Sequence, residues 1–305
     1  MSSLFTKAVK AEAKARVAIT GPSGSGKTYS ALVWATTLAE GGKIAVIDTE
    51  RDSAKLYADR FEFDSLSMTA PYHPHRLIEA LKVAEQEGYA CVVIDSLTHF
   101  YNGAGGLLEI VEQAGAASKG NNFAGWRTAT PIQQQMVDAI LNFNGHIIAT
   151  MRSKTEWTLE KDERTGRSAP KKVGLAPQQR DGIEYEFTLV VEMDTEHRTI
   201  IGKTRCESLT DKVFQPNKGE EGAVEFLTWL KSGDPIITAT QRDVLDGQIR
   251  SLNPAAVAHL RSQWASAGIP KVANLPASRY DEALALVKAA SKVKAVEASD
   301  EVVPE

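Results

Sequence analysis

Short apolar runs and amphipathic stretches alternate along the first 231 residues. The β-branched, apolar runs RVAIT (16–20), KIAVID (43–48), ACVVID (90–95) and HIIATM (146–151) predict strands. Between them, apolar positions recur at helical spacing near 27–39, 74–87 and 131–143. That alternation predicts a mostly parallel sheet covered by helices on both faces. YEFTLVVEM (185–193) and RTIIGKTR (198–205) flank a polar turn and predict an antiparallel hairpin that extends the sheet on its C-terminal side. A helix over 223–231 closes this block. SGDP (232–235) breaks the pattern, and the chain beyond it is helical only, near 238–250, 254–267 and 278–291, with Pro270 and Pro276 at the connections. The expected organisation is an N-terminal arm (1–14), an α/β core (15–232), a small all-helical domain (236–292) and an acidic, disordered tail (293–305).

Composition narrows the partners. The 305 residues are 43% apolar and 24% charged, with a net charge of −4, so contact with a polyanion must use a local patch. The two cysteines, Cys91 and Cys206, have no metal-ligand spacing and read as buried, reduced thiols, which fits a cytoplasmic location. No apolar run is long enough to span a membrane, and the first residues lack an apolar signal segment.

The chemistry begins at ITGPSGSGKTYSAL (19–32). Gly21, Gly26, Lys27 and Thr28 fit the G-x-x-x-x-G-K-[ST] phosphate loop, placed between a predicted strand and a predicted helix. Glycines let backbone N–H groups approach phosphate oxygens, and the helix presents its positive end to the same anion. Residues 21–29 (Gly21, Pro22, Ser23, Gly24, Ser25, Gly26, Lys27, Thr28, Tyr29) are the expected nucleotide contacts. Lys27 reaches the β- and γ-phosphates and the Thr28 hydroxyl binds Mg²⁺. Asp95 ends the apolar strand of CVVIDS, where a carboxylate holds Mg²⁺ through water. Ser96 follows it in place of a water-activating glutamate, so the base must come from elsewhere. Asp48 and Glu50, at the end of IAVIDTE, are placed to face the γ-phosphate, and Glu50 is the candidate base. Glu50 also reads as a solvated loop carboxylate beside Arg51. Thr150 and Arg152 are candidate γ-phosphate sensors. His99 reads either as lining the site or as a packed histidine.

GPSGSGKT, VIDTE and VVIDS occur in the order and spacing of RecA-like recombinase ATPase cores, which they resemble. DTERDSAKLYAD, VVIDSLTHFY, TMRSKTEW and KVGLAPQQRDGIEYEF are similar more narrowly to bacteriophage core-only RecA-like ATPases linked to single-strand annealing. The resemblance covers about residues 14–231. It implies a RecA-like P-loop core, Mg²⁺ and ATP as cofactors, and ATP hydrolysis stimulated by DNA. It further implies a ring or filament with the nucleotide between subunits, and a host single-strand-binding protein as a partner. If the chain is phage-encoded, its compartment is the bacterial cytoplasm. The resemblance also implies two cations on a late strand that reach the neighbouring subunit's triphosphate, here Lys203 and Arg205 of GKTRC, which equally fit a solvated edge-strand pair.

Two long polar stretches leave the same strand ends. The first (102–130) is glycine-rich and holds Phe123, Trp126 and Arg127 near Lys119. The second (152–180) holds Arg152, Lys154, Lys161, Arg164, Arg167, Lys171, Lys172 and Arg180 against four acidic residues, a local net of +4. Aromatics among cations suit single strands. Trp126, Arg127, Arg152, Arg167, Lys171 and Lys172 are therefore the candidate DNA contacts, with a packed Trp and a solvated β-ribbon as the other reading. The functions left open are annealing or strand pairing on single-stranded DNA, a helicase-like or loading motor, and an ATP-switched DNA-binding module with negligible turnover. A small-molecule kinase would need an acceptor pocket to which the sequence does not point.

Overall fold

The computed structural model describes residues 10–118, 120–161, 168–215 and 218–293. These described residues divide into two compact units, one drawn from 14–228 and one from 10–13 with 229–293.

The larger unit is built on β1 (Arg16–Gly21), β2 (Ile44–Asp48), β3 (Asp64–Ser67), β4 (Cys91–Asp95), β5 (His146–Lys161), β6 (Ser168–Pro177), β7 (Leu189–Met193), β8 (Thr199–Thr204) and β9 (Val213–Phe214). The sheet order is β3-β2-β4-β5-β1-β7-β8-β9. The strands from β3 to β7 in that order run parallel, whereas β8 and β9 are antiparallel additions. This is a mixed α/β sheet, mostly parallel, with its antiparallel strands on the C-terminal side. β1 is buried at every position and β4 likewise, as expected of central parallel strands covered on both faces. Around the sheet lie α1 (Lys27–Ala39), α2 (Pro74–Gln86), α3 (Thr98–Asn102), α4 (Leu107–Ala117), α5 (Asn122–Asn142) and α6 (Gly219–Lys231). Leu77, Leu81, Val92, Ile94, Phe100, Met136 and Ile147 belong to one apolar cluster on one side of the sheet. Arg16, at the bottom of β1, is 8% exposed. Its guanidinium donates to the carbonyls of Ala15, Leu141, Phe143 and Gly145, which ties the α5–β5 connection to β1.

Three stretches depart from the pattern expected of the sequence. The glycine-rich stretch 102–130 is helical rather than an extended loop. Asn121 caps α5, its side chain accepting from Phe123 N at 3.0 Å and Ala124 N at 3.4 Å. Pro131 sits inside that helix instead of at its start. Gly125 lies against α4, where a Cβ would come 2.2 Å from the Val111 carbonyl, so this glycine permits helix contact rather than loop freedom. The second stretch, 152–180, takes the β-ribbon form given above as its other reading and is not an open loop: β5 runs on past the sheet and pairs antiparallel with β6, with a bulge at Glu156/Trp157. The third, 183–186, coils into a 3₁₀ turn ahead of β7 instead of joining the strand.

In the smaller unit, α7 (Ala239–Arg250), α8 (Pro254–Ser266) and α9 (Tyr280–Ala290) close around Leu245, Leu260, Leu275, Ala283 and Val287. Thr238 and Gln241 form a capping box on α7, and Asn253 caps α8 ahead of Pro254. Residues 10–13 belong here, with Glu12 N donating to Asp234 O and Asp234 N to Lys10 O, both at 2.7 Å. No helix among the described residues is long and apolar enough to cross a membrane.

Candidate functional site

The phosphate loop joins β1 to α1 at the carboxyl end of the sheet. Gly26 has φ 88°, which favours glycine, and it is the residue from which α1 departs. Gly21 passes so close to β7 that a Cβ would come 2.6 Å from Met193 O and 2.6 Å from Ser25 Oγ. Ser25 Oγ is buried without a hydrogen-bond partner among the described residues. Lys27 Nζ folds back to donate to Pro22 O at 2.7 Å. Burial lowers the Lys27 pKa, Asp95 and Glu50 oppose the shift, and Arg152 adds to it.

Neighbouring parallel strands in register bring the acidic residues together: Asp48 of β2 is paired with Asp95 of β4. Asp95 is 2% exposed and accepts from Thr28 Oγ1 at 2.7 Å and from Thr150 Oγ1. Burial raises the Asp95 pKa, the two threonine hydroxyls oppose that, and Glu50 and Asp48 push it higher. A cation at this point would relieve the penalty, and Thr28 and Asp95 supply hard oxygen donors suited to Mg²⁺. Thr150 is fully buried and bound to Asp95, so it is not placed as a free sensor hydroxyl.

Asp48 does not face the phosphate loop as expected. Its carboxylate accepts from Glu50 N at 2.7 Å and Ala54 N at 3.0 Å and so shapes the turn that carries Glu50. Glu50 is held from two sides: Ser96 Oγ donates to Oε1 at 3.1 Å, and Arg152 donates to both carboxylate oxygens, Nε to Oε1 at 3.0 Å and Nη2 to Oε2. Burial pushes the Glu50 pKa up, but the Arg152 bonds and charge outweigh it and hold the group below its ordinary value. Arg152 is therefore engaged at the acidic cluster rather than offered to a nucleic acid. Behind it, Thr49 Oγ1 accepts from Ser96 N at 2.8 Å and meets His99 Nδ1 at 2.7 Å, and the His99 ring stacks on Tyr72 at 5.0 Å. His99 is thus a packed histidine behind the site.

A cavity of ≈ 500 Å³ runs along this constellation, lined by Gly24, Lys27, Thr28, Glu50, Asp95 and Arg152, and also by Tyr57 and His197. The last two carry no sequence signal of their own. Tyr57 follows the Glu50 turn in a 3₁₀ segment (Ser53–Tyr57), and His197 comes from the β7–β8 turn, far from the loop in sequence.

The remaining candidates separate. The Lys203 ammonium donates to the carbonyls of Glu184 (2.9 Å), Tyr185 (3.0 Å) and Phe187 (2.8 Å), so it closes the 3₁₀ turn and is not a free finger. Arg205 lies beyond the end of β8 and is exposed. Trp126 packs against the apolar cluster with the Arg180 guanidinium 4.9 Å over its ring, which makes both poor platforms for a base. Arg180 also donates to Gln133 Oε1 at 2.7 Å. Arg127 and Phe123 are exposed, Phe123 at 83%. Arg167 and Lys119 lie outside the described residues, as do the side chains of Lys171 and Lys172, although both lysines lie on β6.

Residues 13–232 match the model of a family described as AAA domain. Comparison with curated proteins finds no match. Among solved structures, the crystal structure of the RadB recombinase is similar at 17% identity, over 63% of this chain and 83% of that one, with a TM-score of 0.36.

Proposed function

Since the chain belongs to the AAA-domain family, matched from residue 13 to 232, we propose that it binds Mg²⁺-ATP at residues 21–29 and hydrolyses it, using that cycle to act on single-stranded DNA. The observation that carries the reading is the junction of a phosphate loop with two acidic strand ends: Lys27 and Thr28 face Asp95, and Glu50 lies on the same cavity.

The phosphates lie in the loop, with backbone N–H groups and the α1 N-terminus meeting their charge. Lys27 releases Pro22 O and pairs with them. Thr28 and Asp95 would hold Mg²⁺, which when bound neutralises charge on the phosphate oxygens. Glu50 orients the attacking water once Arg152 lets go of it. Arg205, exposed beyond β8, is the remaining candidate to reach the triphosphate of a neighbouring copy in a ring or filament.

The β5–β6 ribbon supports a DNA role because β5 carries Thr150 and Arg152 at the nucleotide end and continues without a break into the ribbon. Force on the ribbon can thus reach Glu50 through Arg152. The similarity of TMRSKTEW and KVGLAPQQRDG to phage annealing ATPases favours single-strand annealing and a single-strand-binding partner. The test is binding of a fluorescent oligonucleotide over a salt series with Mg²⁺-ATP. Lys171→Gln with Lys172→Gln should weaken binding and reduce the salt slope by about 1.4, the value for two phosphate contacts on a single strand. An unchanged slope would remove the ribbon from the interface, and absence of binding in the wild type would remove the DNA reading.

A further inference from the structure

Behind Glu50 lies a chain of hydrogen bonds whose members, Thr49, Ser96 and His99, do not line the phosphate cavity. β2 and β4 run parallel in register, so their carboxyl ends deliver Thr49 and Ser96 side by side, and Thr49 N donates to Asp95 O at 2.7 Å. Both residues are buried, Thr49 at 2% and Ser96 at 1% exposure. Buried polar groups need partners, and these two supply each other. Ser96 N donates to Thr49 Oγ1 at 2.8 Å, and Ser96 Oγ donates onward to Glu50 Oε1 at 3.1 Å.

The Thr49 hydroxyl has one proton and two acceptors within reach, His99 Nδ1 at 2.7 Å and Ser96 O at 3.2 Å. The shorter contact assigns the proton to the His99 bond, with Nδ1 as acceptor and the ring proton on Nε2. A neutral imidazole suits this place: burial lowers the His99 pKa, Glu50 and Asp48 oppose the shift, and Arg152 adds to it. The ring is also oriented. It stacks on Tyr72 at 5.0 Å with 20° between the planes. Tyr72 N donates to Ala104 O at 2.7 Å, and Gly103 leaves the tyrosine room, since a Cβ there would come 2.7 Å from Tyr72 Cδ2.

The two oxygens of Glu50 are held differently. Oε1 accepts from Ser96 and from Arg152, whereas among the described residues Oε2 accepts from Arg152 only. Ser96 follows β4 and Arg152 lies on β5, so one partner can leave while the other stays. Once Arg152 withdraws, Ser96 keeps Oε1 and Oε2 is bare.

We propose that His99, Thr49 and Ser96 form a positioning relay for Glu50. The imidazole fixes the Thr49 hydroxyl, Thr49 fixes the Ser96 backbone, and Ser96 Oγ holds Oε1 so that Oε2 meets the water. The relay rests on the reading of Glu50 as the residue that orients the attacking water. His99 and Thr49 act only through Ser96, so their loss falls on turnover and not on ATP binding.

The test is steady-state phosphate release by the full chain with Mg²⁺-ATP, reading kcat and KM separately. His99→Phe keeps a ring on Tyr72 and removes the acceptor. It should lower kcat ~3–10-fold, the loss of one buried hydrogen bond, with KM unchanged. His99→Asn, whose Oδ1 stands as many bonds from the backbone as Nδ1, should recover most of that loss. In a Ser96→Ala background, which already lacks the bond to Glu50, His99→Phe should have no further effect. A histidine that merely supports the fold lowers kcat in both backgrounds, and that additivity overturns the relay. So does an unchanged kcat, or an Asn variant no better than Phe. If His99→Phe does not fold, Thr49→Val, which keeps the side-chain shape without the hydroxyl, takes its place in the same comparison, with Thr49→Ser as the recovering variant. Glu50→Gln separates the two readings. Wild-type turnover in that variant removes Glu50 and the relay together, whereas an inactive Glu50→Gln beside a His99→Phe that matches the wild type removes only the relay.

Discussion

Replacing Arg152 by Met should raise the basal turnover of the nucleotide cycle. In the structure Arg152 grips both oxygens of the Glu50 carboxylate, with the arginine side chain 44% and the glutamate side chain 24% exposed. Fully exposed pairs contribute only ~0.2–1 kcal/mol, and bonds to charged groups ~1.5–3 kcal/mol. A bidentate, half-exposed pair falls between, at about 1–2 kcal/mol. That corresponds to Glu50 being held away from water by ~5–30 to 1. Freeing it should increase phosphate release by up to ~5–30-fold at saturating Mg²⁺-ATP without DNA. A second signature is the pH profile. Arg152 is the main influence holding the Glu50 pKa down against burial. Without it the pKa rises, a higher pH is needed to ionise the base, and the acid limb of the profile moves up. Arg152→Lys, which cannot match both oxygens, should lie between. A fall in turnover of tenfold or more, with no movement of the acid limb, would show that Arg152 serves the transferring phosphate and does not restrain Glu50.

Other substitutions separate architecture from chemistry. Arg16→Met strands the carbonyls of Leu141, Phe143 and Gly145 and should cost about 3–5 kcal/mol in urea unfolding; a loss below ~1 kcal/mol would contradict the clamp. Lys203→Met should lower stability by ~1–3 kcal/mol because three carbonyls lose their donor. Arg205→Ala should leave unfolding within ~0.5 kcal/mol of wild type yet cut phosphate release at least ~10-fold in the assembled protein, and unaltered release would end its role as a finger. Asp95→Asn should abolish Mg²⁺-dependent tightening of ATP binding while tripolyphosphate without metal still binds, which titration with and without chelator will show.

What the sequence makes legible is whatever is local. The phosphate loop is a continuous string, and the runs at 16–20 and 90–95 are too apolar for anything but covered strands, so Lys27, Thr28 and Asp95 can be placed from the string alone. Glu50 is legible only as a carboxylate after a strand. Its engagement by Arg152 depends on two residues 102 apart in sequence. Gly125 reads as a loop residue because a glycine that permits helix packing looks the same in one dimension as one that permits a turn. β3 leaves no mark in the pattern, because Asp64–Ser67 is a short, mostly exposed edge strand with no apolar alternation. Lys203 looks free until the 3₁₀ turn at 183–186 folds its carbonyls toward it. His197 and Tyr57 carry no motif and gain meaning only from the cavity they line.

The most direct measurement is phosphate release beside ATP binding for wild type and Glu50→Gln with Mg²⁺-ATP. The account predicts that binding survives within a few-fold while turnover falls by ~10²–10⁴, the contribution of a general base. A variant that turns over ATP at the wild-type rate would contradict it.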